Sequence, residues 1–168
     1  MIYYDIISSP IGKLLIVANN SGLKQIVFED VNLSDNIKSH WCKAPDKLES
    51  VTNQLDAYFR KELKSFDVQL ALEGTAFQKQ IWNQLLKIPY GNTCSYLDIA
   101  KAINKPKACR AIGMANSKNP IPIIIPCHRV IGKNGKLTGY AGGLTTKSKL
   151  LEIEKPELKS SNKQFQLF

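Results

Sequence analysis

Apolar residues in this chain follow two rhythms. Ile2–Ile7, Lys13–Ala18 and Leu23–Phe28 are strand-like, and Asn19-Asn20-Ser21-Gly22 supplies hairpin turn chemistry between the second and third. Leu48, Val51, Leu55, Tyr58 and Phe59 then recur at helical spacing between Lys47 and Lys61. Phe66, Val68, Leu70 and Leu72 alternate with Asp67 and Gln69, which predicts one more strand. Residues 1–72 therefore read as a small α/β supporting domain, an antiparallel sheet with a helix. Nothing chemical stands out in it.

From Thr75 the pattern turns helical. Thr75-Ala76-Phe77-Gln78 has capping-box form, and Phe77, Ile81, Trp82 and Leu85 build one face of a helix that Pro89-Tyr90-Gly91 stops. Ser95 is a good N-cap for a short helix through Ile103, and Asn104-Lys105-Pro106 turns the chain into a second helix from about Lys107 to Ser117. Two short helices joined by a tight turn predict a helix-turn-helix. An apolar strand punctuated by prolines is expected over 119–126. A hairpin wing of Arg129–Gly132 and Lys136–Gly139 around Lys133-Asn134-Gly135 should follow, then a helix capped by Thr145 or Thr146 and ending at Glu154. The expectation is an α+β chain: a supporting domain over 1–72, a winged helix-turn-helix domain over 73–155, and a mobile polar tail over 156–168.

Charge separates the same two halves. Residues 1–72 hold eight Lys and Arg against nine Asp and Glu, a net of −1, whereas residues 73–168 hold fifteen against five, a net of +10. A strongly basic half points to a polyanionic partner, DNA or RNA, for that half. No apolar run approaches the ~18 residues a membrane span needs, and Met1-Ile2-Tyr3-Tyr4-Asp5 is no export signal, so a cytoplasmic protein is expected. Cys42, Cys94, Cys109 and Cys127 lack the paired short spacings of a zinc site or disulfide framework; His40-Trp41-Cys42 is a weak metal lookalike.

Cys127 stands directly before His128 in Ile125-Pro126-Cys127-His128-Arg129-Val130, in a chain with only two histidines. A thiol is a good nucleophile only as thiolate, and a free pKa of about 8.5 leaves little of it at neutral pH. A basic ring and a guanidinium beside the sulfur are expected to lower that value. In an extended strand neighbouring side chains point to opposite faces, so the ring would reach the sulfur only across a turn or through a water. Pro126 favours such a break. On these residues alone, a buried structural cysteine is the simpler reading. The second predicted helix carries Ala108, Ala111, Gly113 and Ala115. A helix about 10–12 Å across enters a minor groove about 6 Å wide only if its face is small, although such residues also pack helix against helix.

The segment 119–130 resembles the active-site motif of the O6-alkylguanine-DNA alkyltransferases. Pro89-Tyr90-Gly91, Ser95-Tyr96, Ala100, Arg110-Ala111-Ile112-Gly113, Gly139-Tyr140-Ala141-Gly142-Gly143 and Leu150-Leu151-Glu152-Ile153-Glu154 fall at family-like spacings. The similarity is strong over 75–155 and loose over 1–72. It implies an RNase H-like N-terminal domain and a single-turnover, irreversible transfer to Cys127. The group moved is the methyl or alkyl of O6-alkylguanine, and of O4-methylthymine, in double-stranded DNA. By the same resemblance Glu154 orients His128, which reaches Cys127 through water. Asn119 ties the active-site strand to the helix-turn-helix, and Tyr96 helps to rotate the phosphate and bonds to the base. Arg110 fills the space left by the extruded nucleotide. Ala108, Ala111, Gly113 and Arg129 join it against the DNA minor groove. Pro122, Val130, Tyr140 and Ala141 form the base pocket, with main-chain carbonyls of Val130 and Cys127 for the guanine amino group. The resemblance implies a monomer with no cofactor, metal or membrane partner.

Ala141 departs from the family pattern, standing where some relatives have serine; the backbone amide is kept, but the range of alkyl groups becomes open. Three other readings compete. A winged-helix regulator would leave Cys127 inert and prefer one DNA sequence. A Cys-His hydrolase would need an oxyanion site, for which no signal is present. A lesion sensor of the alkyltransferase-like kind replaces the nucleophile, which this chain retains.

Overall fold

The three segments that read as strand-like at the start of the chain form strands. β1 (Ile2–Ile7), β2 (Leu14–Asn19) and β3 (Gly22–Phe28) make an antiparallel meander, with Ile2 opposite Asn19 and Leu14 opposite Phe28. The computed structural model describes residues 1–29 and 32–155, so the tail expected over 156–168 lies outside the described residues. The chain divides into two units, Met1–Glu73 and Gly74–Phe168.

In the first unit β2 is buried from Leu14 through Ala18, so neither of its faces meets solvent. Gly22 opens β3 at φ +136°, and a Cβ there would sit 2.5 Å from the Gln69 carbonyl oxygen. Only glycine fits that approach. A short helix, α1 (Leu33–Asn36), and a two-residue strand, β4 (Cys42–Lys43), follow; neither is predicted by the pattern. β4 pairs with β1 in parallel, Tyr3 beside Cys42. The sheet order is therefore β3-β2-β1-β4, and the sheet is mixed rather than wholly antiparallel as expected. Leu15, Val17 and Leu33 form a buried cluster with Ile2, Tyr4, Val27, Ile37 and Trp41 packed against it. α2 (Pro45–Phe59) starts on a proline, whose missing N–H is no loss in the first helical turn, and buries Leu48, Leu55 and Tyr58.

The strand expected over Phe66–Leu72 reduces to a single parallel bridge between Leu70 and Leu23. The reason is a side chain that takes the ladder's place. Gln54 of α2 accepts from the Asp67 amide at 2.8 Å and donates to the Asp67 carbonyl at 2.9 Å.

The second unit opens with α3 (Ala76–Leu85) and the expected capping box: Thr75 Oγ1 accepts from the Gln78 amide, and Gln78 Oε1 accepts from the Thr75 amide. Ile81, Trp82 and Leu85 are buried, and the Trp82 indole N–H donates to the Ala115 carbonyl at 2.9 Å. β5 (Cys94–Ser95) leads into α4 (Tyr96–Ala102), again through a capping box, between Ser95 and Asp98. α5 (Cys109–Ser117) packs against both α3 and α4. It begins at Cys109 rather than Lys107. The Ala108 amide instead closes a turn onto the Lys105 carbonyl around Pro106, which leaves Ala108 as the N-cap and not on the helix.

Residues 119–126 do not form the expected strand. Prolines 120, 122 and 126 remove three backbone donors from any ladder. The segment coils instead, with the Ile125 amide on the Ile121 carbonyl and Ile123 at φ +77°, a costly conformation for a β-branched residue. A single 3₁₀ turn, Cys127–Arg129, delivers the chain to β6 (Val130–Ile131), which pairs in parallel with β5. The predicted wing is a turn, with Gly132 N on Lys136 O and Gly135 N on Gly132 O, and no ladder extends beyond it. α6 (Gly143–Glu154) is capped by Gly142, not by Thr145 or Thr146.

Ser95 couples the β5–β6 pair to α4, since its hydroxyl accepts from the Asp98 amide at 3.1 Å and donates to the Asp98 carboxylate at 2.8 Å. Ser95→Ala should lower the stability of the second unit by about 1 kcal/mol, read as a lower urea midpoint at unchanged slope. An unmoved midpoint would show that this cap adds nothing.

Candidate active site

The last residue of α6 and two residues of the 3₁₀ turn meet inside the second unit. Glu154 Oε1 accepts from His128 Nε2 at 2.7 Å and from Arg129 Nη2 at 2.9 Å. Glu154 Oε2 accepts from Arg129 Nε at 2.9 Å and from the Gly91 amide at 3.3 Å. Gly91, at φ +76°, closes the Pro89-Tyr90-Gly91 turn in a left-handed conformation that suits glycine and aims that amide inward. Arg129 Nη1 donates to the Ile88 carbonyl at 2.5 Å, and the guanidinium lies 5.9 Å from the Tyr90 ring centre.

This arrangement fixes protonation states. Burial pushes the Glu154 carboxyl up, but the charge and hydrogen bonds of His128 and Arg129 outweigh it and hold the group well below 4.5. Burial, and then the neighbouring cations Arg129 and Lys147, push His128 below 6.5 against the pull of Glu154. The imidazole is therefore neutral near pH 7, and Arg129 is the cation that keeps Glu154 ionised. A carboxylate only accepts, so the ring proton sits on Nε2 and Nδ1 carries a free lone pair. That buried Nδ1 has no hydrogen-bond partner among the described residues.

Cys127 precedes this histidine with 3% of its surface exposed. Burial pushes its thiol up to about 11; a hydrogen bond from Asn119, the charge of Lys147 and a hydrogen bond from Tyr140 pull the other way. The expectation that His128 and Arg129 lower the thiol's pKa is thus corrected: Arg129 is spent on Glu154, and the cation that Cys127 feels is Lys147. Lys147 is wholly buried on α6 and donates to the Val130 carbonyl at 2.6 Å and the Thr138 carbonyl at 2.9 Å. Burial brings it down to about 8, opposed by Cys127, and among the described residues no carboxylate pairs with it. Lys147 goes beyond the residues singled out from the sequence. Its signal is there, for Lys147, Leu150, Leu151 and Glu154 share the buried stripe of α6, and a lysine on an apolar stripe is rarely idle.

Asn119 braces the coil before the thiol. Its Nδ2 donates to the Ile125 carbonyl at 2.8 Å, and its Oδ1 accepts from the Ile121 amide at 3.0 Å. Pro122 and Val130 are buried, Tyr140 is half-buried and Ala141 is exposed. The Val130 carbonyl is held by Lys147. Tyr96 is half-buried and shares a hydrogen bond with Thr138. Arg110 and Ala111 are exposed on α5 beside Met114, itself 61% exposed, while Gly113 faces the Tyr96 ring. Arg129 does not belong with them. It was expected at the DNA, but is only 6% exposed because Glu154 and the Ile88 carbonyl take up its guanidinium. Among the described residues no group of three His, Cys, Asp or Glu could hold a metal ion, and no helix is long and apolar enough to cross a membrane.

Fold and site together describe a helical DNA-binding unit that encloses a buried thiol next to a polar triad. Residues 2–72 match the family domain described as 6-O-methylguanine DNA methyltransferase, ribonuclease-like domain, and residues 76–156 match its DNA binding domain. The methylated-DNA–protein-cysteine methyltransferase of Methanosarcina acetivorans is 53% identical over 152 residues, 90% of this chain and 97% of its own length. The crystal structure of Mycobacterium tuberculosis OGT in complex with DNA superposes with a TM-score of 0.85 at 48% identity, covering 92% of this chain and 93% of that one. The O6-methylguanine-DNA methyltransferase of Pyrococcus kodakaraensis gives a TM-score of 0.63 at 25% identity over 92% of this chain and 99% of its own. The chain belongs to the 6-O-methylguanine DNA methyltransferase family, stoichiometric repair proteins that convert O6-alkylguanine back to guanine by moving the alkyl group onto a cysteine of their own.

Removing one side of the Arg129–Glu154 pair strands the other in the interior. Glu154→Gln should destabilise the protein by about 3–5 kcal/mol at neutral pH. The folded carboxyl is depressed, so its contribution is present above about pH 4.5 and lost as pH falls toward the lower folded value. The gap between wild type and Glu154→Gln in urea unfolding should therefore narrow below pH 4.5. A gap that is small, or constant with pH, would show that Glu154 is not a structural anion.

Proposed function

We propose that Cys127 is the alkyl acceptor and that the residues around it make and aim its thiolate. The observation that carries this reading is the contrast between the two buried thiols. Burial and then the Asp98 carboxylate push Cys94 up to about 12, so an anion opposes its ionisation. Cys127 has the Lys147 ammonium, Asn119 and Tyr140 in favour of its ionisation, and a neutral histidine with a free lone pair next in sequence. Cys42 is exposed and Cys109 half-buried, so neither is enclosed as Cys127 is.

The step is a displacement at carbon. The thiol proton passes through a water to His128 Nδ1, the sulfur attacks the alkyl carbon, and the carbon–O6 bond breaks as the sulfur–carbon bond forms. Guanine leaves with the electron pair and takes up a proton, which balances the one that the thiol gave to His128 once the imidazolium returns it through water. Moving the thiol proton to His128 leaves the net charge of the buried group unchanged. Glu154 and Lys147 then stabilise the imidazolium and the thiolate respectively. The product is a thioether, which water does not cleave under physiological conditions, so each chain acts once. O4-methylthymine presents the same alkyl–oxygen chemistry and is a second substrate on this reading.

The DNA-facing surface is the exposed side of α5. Arg110 and Ala111 are exposed there, half-buried Gly113 beside the Tyr96 ring keeps the helix narrow, and the basic second half supplies phosphate contacts. A base inside the duplex cannot reach a thiol this buried, so the damaged nucleotide leaves the stack through the minor groove, and Arg110 fills its place. One monomer meets one lesion.

Incubating the protein with duplex DNA carrying O6-methylguanine tests the central reading. Mass spectrometry should find one methyl per chain, on Cys127, and Cys127→Ser should transfer none. A methyl on Cys42, Cys94 or Cys109, or many lesions repaired per chain, would overturn it. Lys147→Met should slow transfer at pH 7.5 by about tenfold or more, the equivalent of one pKa unit on the thiol, and shift the pH–rate profile upward. Lys147→Arg should recover part of the loss, and an unshifted profile would remove the lysine's electrostatic role. Arg110→Ala should impair duplex repair far more than reaction with free O6-benzylguanine; equal losses would assign Arg110 to the fold or the pocket.

A further inference from the structure

Tyr96 opens α4, and Thr138 lies in the loop after β6, 42 residues further on, yet the Tyr96 hydroxyl is 3.1 Å from Thr138 Oγ1. Thr138 is pinned from its other side, where its carbonyl accepts from Lys147 Nζ at 2.9 Å. The same ammonium holds the Val130 carbonyl, and Val130 pairs with Cys94 in the ladder that runs directly into Tyr96. Tyr96 and Thr138 thus join hands beside Val130, next to the segment that carries Cys127. The loop around Thr138 has no ladder of its own beyond the Gly132–Lys136 turn, so this side-chain bond ties it to α4.

Of the two hydroxyls the phenol is the more acidic and so the better donor, which assigns the bond as Tyr96 O–H donating to Thr138 Oγ1. A phenol has one O–H proton, which serves one acceptor at a time. We infer that Thr138 is a specificity-determining latch: it holds the Tyr96 hydroxyl in the resting protein, and an alkylated base must take that hydroxyl from it to reach Cys127. The inference rests on the reading that Cys127 is the acceptor and that Tyr96 bonds to the base. A free base must break the latch with its own few contacts, so the latch lowers its second-order rate. In a saturated duplex complex the exchange is already complete, so the maximal transfer rate does not depend on Thr138.

The test uses the full chain with free O6-benzylguanine and with duplex O6-methylguanine, following alkylation of Cys127. Thr138→Val and Thr138→Ala should each raise the second-order rate with the free base about 3–10-fold, the range of one neutral hydrogen bond. Thr138→Ser should match wild type, and the maximal duplex rate should be the same in all four proteins. In a Tyr96→Phe background, Thr138→Val should give no gain, since the bond is already absent. An unchanged or slower free-base rate in Thr138→Val and Thr138→Ala, no reaction with the free base in any variant, or an equal gain in the Tyr96→Phe background would overturn the latch. Absence of alkyl on Cys127 in wild type with duplex substrate would instead sink the acceptor reading on which it stands.

Discussion

Glu154 gathers the second unit around one buried negative charge. Its oxygens draw in the guanidinium and the imidazole of consecutive residues, Arg129 and His128, together with the Gly91 amide from a distant turn. A lone carboxylate in that position would be untenable, and a lone guanidinium equally so. The pair satisfies both and leaves the histidine neutral. A single ion pair therefore settles the fold of the 127–131 segment and the tautomer of the residue beside the thiol. Position and protonation follow from the same contact.

Much of this was legible from residue order, and the parts that were not share a cause. The helices announced themselves through caps: Thr75 with Gln78, and Ser95 with Asp98, behave as local sequence patterns because a cap needs only residues three apart. The first three strands are legible for the same local reason, as short apolar runs rich in Ile, Val and Tyr with turn residues between the second and third. The strand over Phe66–Leu72 was lost to Gln54, and the strand before Cys127 to three prolines and an Ile123 held at positive φ. The resemblance placed Arg129 at the DNA, but its partner is inside, 25 residues away. Lys147 is hidden for a kindred reason, since a lysine among lysines looks solvated until the stripe with Leu150, Leu151 and Glu154 is drawn.

Cys94 and Cys127 show how little the word buried says about a thiol. Both are enclosed, and enclosure raises both. The difference lies in the sign of the nearest full charge, Asp98 for one and Lys147 for the other. Asp98 is engaged by the Ser95 hydroxyl and amide as a helix cap, so the element that shapes α4 also makes Cys94 chemically quiet.

The depth of Cys127 has a further meaning for a molecule that reacts once. Oxidants and stray electrophiles select thiols by thiolate character and exposure. A sulfur that is 3% exposed, and protonated up to about pH 11, escapes both criteria while it waits. The enclosure that slows the resting thiol thus gives it shelf life and, with Cys127 as the proposed acceptor, reserves its one reaction for a partner that can open the way in.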